Sequence, residues 1–121
     1  MSRSVMIVED EMLVALDVQD MVEEAGLQAE GPYETVSSSL DALESGMPNC
    51  AILDVRLLDA EVFPVADRLR DAGVPLIFHS AHADEAQLKT RYPAAQICSK
   101  PCSPSALRTA LKKALSECGA E

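Results

Sequence analysis

The chain has 121 residues, 48% of them hydrophobic, with 20 acidic against 10 basic side chains and a formal net charge of −10 at pH 7. That length suits one domain with a core of its own, and the apolar content excludes a disordered chain. The acidity argues against nonspecific binding to nucleic acid, and no apolar stretch approaches the roughly 18 residues of a membrane span.

Taken in order, Ser4 to Val8 predicts a short buried strand, followed by the acids Glu9, Asp10 and Glu11. Met12 to Ala25 predicts a helix with Val14, Val18, Met21, Val22 and Ala25 at the spacing of one face, stopped by Gly26. Leu27 to Gly31 is a more polar strand, suited to a sheet edge. Thr35 to Ser45 predicts a second helix with Val36, Leu40 and Leu43 inward and Gly46 as its stop. The central strand is Asn49 to Leu53, an apolar run that ends on Asp54.

A loop runs from Asp54 to about Glu61, and Val62 to Ala72 predicts the third helix, with Val62, Val65, Ala66 and Leu69 on one face. Pro64 is tolerable only in its first turn. Gly73 ends it, and Leu76 to His79 is the next strand, with His79 expected to point to solvent at the strand end. Asp84 to Arg91 fits two helical turns closed early by Pro93, with Ala83, Ala86 and Leu88 as a thin apolar face. Ala95 to Cys98 is a last short strand. Ser103 as N-cap and Pro104 at the first position open the final helix, Ala106 to Glu117, striped by Leu107, Leu111, Ala114, Leu115 and Cys118.

Five strands alternating with helices predict a doubly wound parallel sheet with right-handed crossovers and helices on both faces. The four cysteines, Cys50, Cys98, Cys102 and Cys118, are expected to be reduced thiols, because the first residues carry no export signal. Cys98 and Cys102 have a C-x-x-x-C spacing conceivable for zinc or redox chemistry, but no C-x-x-C or paired-histidine pattern accompanies it. Cys50 and Cys98 read as small core residues of strands.

Glu9, Asp10, Asp54, Ser80 and Lys100 each fall at or just past the carboxyl end of a predicted strand. In a parallel sheet those ends lie on one side, where open α/β sheets bind ligands. The residue types suit phosphoryl transfer to Asp54. Acids can hold Mg²⁺, which offsets the repulsion between a carboxylate and an anionic electrophile. A lysine ammonium and a hydroxyl meet the charge on the equatorial oxygens. Asp10 and Asp54 would ligate the metal directly and Glu9 through a water. Lys100 would pair with Asp54 at rest, and Ala81 leaves room beside Ser80. His82 and Arg56 stand where they could influence the lifetime of an acyl phosphate.

Val8-Glu9-Asp10-Glu11, Leu53-Asp54-Val55-Arg56-Leu57, Ser80-Ala81 and Lys100-Pro101, in that order and at those separations, resemble the response-regulator receiver domain from end to end. The resemblance implies a flavodoxin-like sheet of order 2-1-3-4-5, which the chemotaxis receiver also shows. It also implies Mg²⁺ at Glu9, Asp10, Asp54 and the Arg56 backbone carbonyl, and a phosphoryl group accepted by Asp54 from a histidine kinase or phosphotransfer protein. Ser80, Ala81 and Lys100 would bind the phosphoryl group and couple it to a surface change read by a downstream protein.

Three departures stand out: no Pro or Gly follows Asp54, Ile97 replaces the usual aromatic, and the stretch between Ser80 and Lys100 is short. Phe63 to Asp67 and Gly73 to Phe78 resemble a subgroup named for a Phe-Ala-Thr-Gly motif, here Phe78-His-Ser-Ala81, in which the fourth helix is short or mobile and stand-alone members are common. The expectation is a cytoplasmic, non-enzymatic switch over residues 1–121 without an output domain, a monomer or weak dimer, with Ala81 to Ala94 as its signalling segment. The alternatives are a degenerate receiver that binds a partner without phosphate control, and a phosphohydrolase. The latter is disfavoured because Arg56 stands where a second acid would serve as general acid.

Overall fold

A computed structural model describes residues 3–117. Its strands are β1 (Ser4–Val8), β2 (Gln28–Tyr33), β3 (Cys50–Leu53), β4 (Leu76–Ser80) and β5 (Gln96–Ser99); its helices are α1 (Met12–Glu24), α2 (Val36–Glu44), α3 (Phe63–Asp71), α4 (Glu85–Arg91) and α5 (Pro104–Glu117). All strand pairs are parallel and their order is β2-β1-β3-β4-β5, the flavodoxin-like order.

Strand alternation explains the two cores. Odd and even positions of a strand face opposite sides. Met6, Val8, Ala51, Leu53 and Phe78 meet Val36, Leu43, Val65, Leu69 and Leu88 from α2, α3 and α4 on one face. Val5, Ile7, Cys50, Ile52 and Ile77 meet Val18, Val22, Leu107, Leu111 and Ala114 from α1 and α5 on the other. Cys50 and Cys98 are buried in that second core, as expected of small strand residues. Cys118 lies outside the described residues.

Caps set the helix ends. Gly26, at φ +83°, lets the chain turn out of α1. Thr35 accepts a hydrogen bond from the Ser38 N–H at 3.0 Å to open α2. The Ser103 hydroxyl accepts from the Ala106 N–H at 3.1 Å, and α5 starts at Pro104. Pro64 sits in the first turn of α3, where its missing N–H breaks no helical bond.

The edge strand β2 continues past the expected Gly31 to Tyr33 through a register shift opposite Met6 and Val8. Gly31 has φ +103°, and a Cβ there would lie 2.7 Å from the Ile7 carbonyl oxygen, so only glycine fits this approach to β1.

The segment after β4 is a 3₁₀ turn over His82–Asp84 followed by the seven-residue α4. Its inward face differs from the expected one. Leu88 is buried as expected, but Ala83 and Ala86 are exposed, and the residues buried with Leu88 are Asp84 and Tyr92, four positions to either side. Tyr92 closes the helix, its N–H donating to the Leu88 carbonyl at 2.8 Å, and its ring lies 5.2 Å from that of Phe78 and 6.3 Å from that of Phe63.

Candidate functional site

The carboxyl ends of β1, β3, β4 and β5 bring most of the expected residues to one rim. The Asp54 N–H donates to the Val8 carbonyl at 2.9 Å, which places Asp54 beside the start of the Glu9-Asp10-Glu11 run. Carboxylate oxygens of Glu9, Asp10 and Asp54 lie within 4.8 Å of one another. Lys100 reaches in from the end of β5, with Nζ 3.2 Å from Asp54, 3.5 Å from Glu9 and 3.6 Å from Glu11. Its N–H donates to the Ser80 carbonyl at 2.8 Å, which joins the ends of β4 and β5. Glu11, quoted in the opening motif but given no role there, is thus part of the lysine's surroundings.

The electrostatics follow from crowding. Glu9 is only 3% exposed. Burial, then the neighbouring Asp54, pushes its carboxyl up to about 8, while Lys100 pulls the other way. Burial alone would lower Lys100, but Asp54 and Glu9 outweigh it and hold the ammonium above its ordinary value.

The other candidates are dispersed. Ser80 is fully buried, and its hydroxyl has no hydrogen-bond partner among the described residues. Ala81 is exposed, leaving the rim open beside it. Ile97 is half-buried and packs against the α2, α3 and α4 core. His82 is exposed and its Nδ1 pairs with Glu85 at 3.0 Å; Glu85 also accepts from the Ser99 hydroxyl. The Arg56 side chain turns to Asp84 rather than to the rim. Burial, then the adjoining Cys98 thiol, pushes the Cys102 thiol up to about 12, which keeps it protonated and a poor nucleophile. Among the described residues, Glu9, Asp10 and Asp54 form the one cluster with three metal-ligating side chains, so Cys98 and Cys102 lack the further ligands zinc needs.

His79 corrects an expectation. It does not point to solvent; it is 7% exposed and both ring nitrogens lack partners among the described residues. Alternation was the missed signal, because His79 shares a face with Ile77, under α1 and α5. Burial first, and the charge of Lys100 second, hold the imidazole below its ordinary value. The folded chain therefore binds fewer protons than the unfolded one below the ordinary histidine value. Stability is full above that value and is lost as pH falls toward the folded one. His79→Phe is expected to flatten the fall of Tm between about pH 7 and pH 5, the range that brackets an ordinary histidine. Equal slopes for the two proteins would remove His79 as the acid-sensitive group.

The response regulator receiver domain family matches residues 5–112. The chain belongs to that family. It is 30% identical over 118 residues to the phyllosphere-induced regulator PhyR of Methylorubrum extorquens, a match covering 95% of this chain and 44% of that protein. It superposes on the response regulator PhyR from Brucella abortus with a TM-score of 0.85 at 28% identity, over 99% of this chain and 50% of that one. The anti-anti-sigma factor PhyR from Bartonella quintana gives a TM-score of 0.82 at 29% identity, over 98% of this chain and 49% of the other. The chain thus spans about half the length of these relatives. Receiver domains are signalling units, generally not catalytic, and typically use Mg²⁺. The acidic cluster suits such a hard, oxygen-seeking cation in both charge and spacing.

Proposed function

We propose that this receiver is a phosphorylation-dependent switch in which Asp54 accepts a phosphoryl group from a histidine kinase or phosphotransfer protein. The observation that carries it is the rim itself: Asp54 at the end of β3, clustered with Glu9 and Asp10 and 3.2 Å from the Lys100 ammonium. An Asp54 carboxylate oxygen attacks phosphorus, the P–N bond of the phosphohistidine breaks, and the leaving imidazole takes up a proton. Lys100 leaves its resting pair to meet a phosphoryl oxygen, and the Ser80 hydroxyl donates to another. Glu9, Asp10, Asp54 and the Arg56 backbone carbonyl would hold Mg²⁺, which supplies charge neutralisation between the carboxylate and the phosphoryl group.

Output would pass by protein contact, in keeping with the Bartonella quintana relative, an anti-anti-sigma factor. The switch is one receiver unit acting in the cytoplasm, as a monomer or weak dimer. The test is phosphotransfer from the histidine kinases of the source organism, read by intact mass. Gain of one acid-labile phosphoryl group supports the switch, and failure with every kinase and with a small phosphodonor counts against it.

A second reading, a degenerate receiver that binds its partner without phosphate, is favoured by one observation. Ile97 occupies the position of the usual aromatic and has no ring to move. Partner binding by the unphosphorylated chain, unchanged by phosphorylation, would select it.

The metal component has its own expected result. Asp10→Asn removes one of three carboxyl oxygen donors. It should weaken Mg²⁺ binding by about tenfold or more and slow phosphorylation by a small donor in step. Unchanged Mg²⁺ affinity by titration would take Asp10 out of the site.

A further inference from the structure

The Arg56–Asp84 contact joins two loops that the proposed chemistry must connect. Arg56 follows Asp54 by two residues, and Asp84 follows Ser80 by four. Nη1 and Nη2 of Arg56 donate to the two carboxylate oxygens of Asp84 at 2.7 and 3.0 Å, the forked geometry of a strong arginine–carboxylate pair. The partners are unequal. The Asp84 side chain is 9% exposed, fixed in the 3₁₀ turn before α4, while the Arg56 side chain is 64% exposed. Arg56 is therefore the arm that can swing. Its backbone is held by a bridge to Glu61 across the loop, and the charge of Asp54 already acts on its guanidinium, after those of Asp84 and Glu61.

We propose that Asp84 is a positioning residue for Arg56, and that Arg56 carries the signal from Asp54 to the start of α4. At rest the fork clasps the 3₁₀ turn to the β3–α3 loop. A phosphoryl group on Asp54 brings about −2 charge and several acceptor oxygens within the arm's neighbourhood, competes with Asp84 for the guanidinium, and releases the turn. The far end of α4 stays anchored by Leu88 and Tyr92, which are in the core. The device supplies a route that Ile97 cannot, and it rests on the phosphoacceptor reading of Asp54.

Amide hydrogen exchange on the full chain tests it in two arms. In the unphosphorylated protein, Arg56→Gln and Asp84→Asn should each raise exchange over residues 83–88 by about fivefold, with Tyr92 unchanged. The double variant should exchange no faster than either single one, because both remove the same contact. Arg56→Gln, on an exposed side chain, keeps this arm decisive if Asp84→Asn fails to fold. No rise in the single variants, or additive rises in the double, overturns the clasp.

In the second arm, wild type carrying one phosphoryl group, verified by intact mass after treatment with acetyl phosphate and Mg²⁺, should show the same rise over 83–88. Phosphorylated Arg56→Gln should show no further rise over its own unphosphorylated form. An equal response in both proteins overturns Arg56 as carrier. Absence of phosphoryl uptake by wild type from acetyl phosphate and from every histidine kinase of the source organism refutes the phosphoacceptor reading and the carrier role with it, while the clasp is still judged by the first arm.

Discussion

Asp54→Asn should abolish phosphoryl uptake and leave the fold in place. The amide oxygen is a far weaker nucleophile than a carboxylate, so uptake from a small phosphodonor is expected to fall by more than about a hundredfold. The fold should persist because the substitution removes charge from a crowded rim without opening a cavity. Lys100 keeps Glu9 and Glu11 at 3.5 and 3.6 Å, and Glu9, pushed up to about 8 partly by Asp54, is relieved of one neighbour. The net change in stability should be about 1 kcal/mol or less. Intact mass and thermal denaturation on the same sample decide both parts. A phosphoryl group on the variant would place the acceptor elsewhere, and a chain that no longer folds would make Asp54 structural.

The largest loss of stability is expected from Tyr92→Ala. The ring is 2% exposed, packs on Phe63 and Phe78, and lies under the Arg70 and Arg91 guanidinium groups at 5.6 Å each. Truncating such a ring leaves a cavity and should cost about 3–5 kcal/mol. Its hydroxyl donates to Asp67 at 2.7 Å, and burial together with that contact pushes the phenol up to about 12. Tyr92→Phe keeps the ring and loses that bond, while Asp67 retains Arg70 and Arg91, so about 1 kcal/mol is expected. Urea denaturation of the two variants separates packing from hydrogen bonding. Equal losses in both would mean that the ring contributes little.

The parallel sheet and its order were legible because each apolar run is short and each is followed by a helical face of the right period. Asp54, Glu9, Asp10 and Lys100 were legible as a group because the ends of parallel strands share one side, whatever the loops do. His79 was misjudged for want of the strand's own alternation, which carries it to the face of Ile77. The inner face of α4 was misjudged in a different way. Ala83 and Ala86 are apolar, yet burial went to Asp84, because Arg56 satisfies its charge from a loop 28 residues earlier. A contact of that kind leaves no local periodicity to read. The loop after Asp54, which lacks the usual Pro and Gly, is held by another such contact. Asp59 accepts from the N–H groups of Val36 and Ser37 at 2.7 and 3.2 Å and so caps α2 from a distance, and those N–H groups hold its carboxyl below the ordinary range.

The two borders of the sheet constrain how anything can dock on it. β2 carries Pro32, which has no N–H to give, and kinks at Gly31; β5 is four residues long and ends on the exposed Ser99. Neither presents a long, flat ladder for an incoming strand, which guards against edge-to-edge aggregation of crowded copies. Recognition by strand addition is disfavoured for the same reason. A binder must read side chains on helices and loops, and those are the surfaces that the proposed switch at Asp54 would alter.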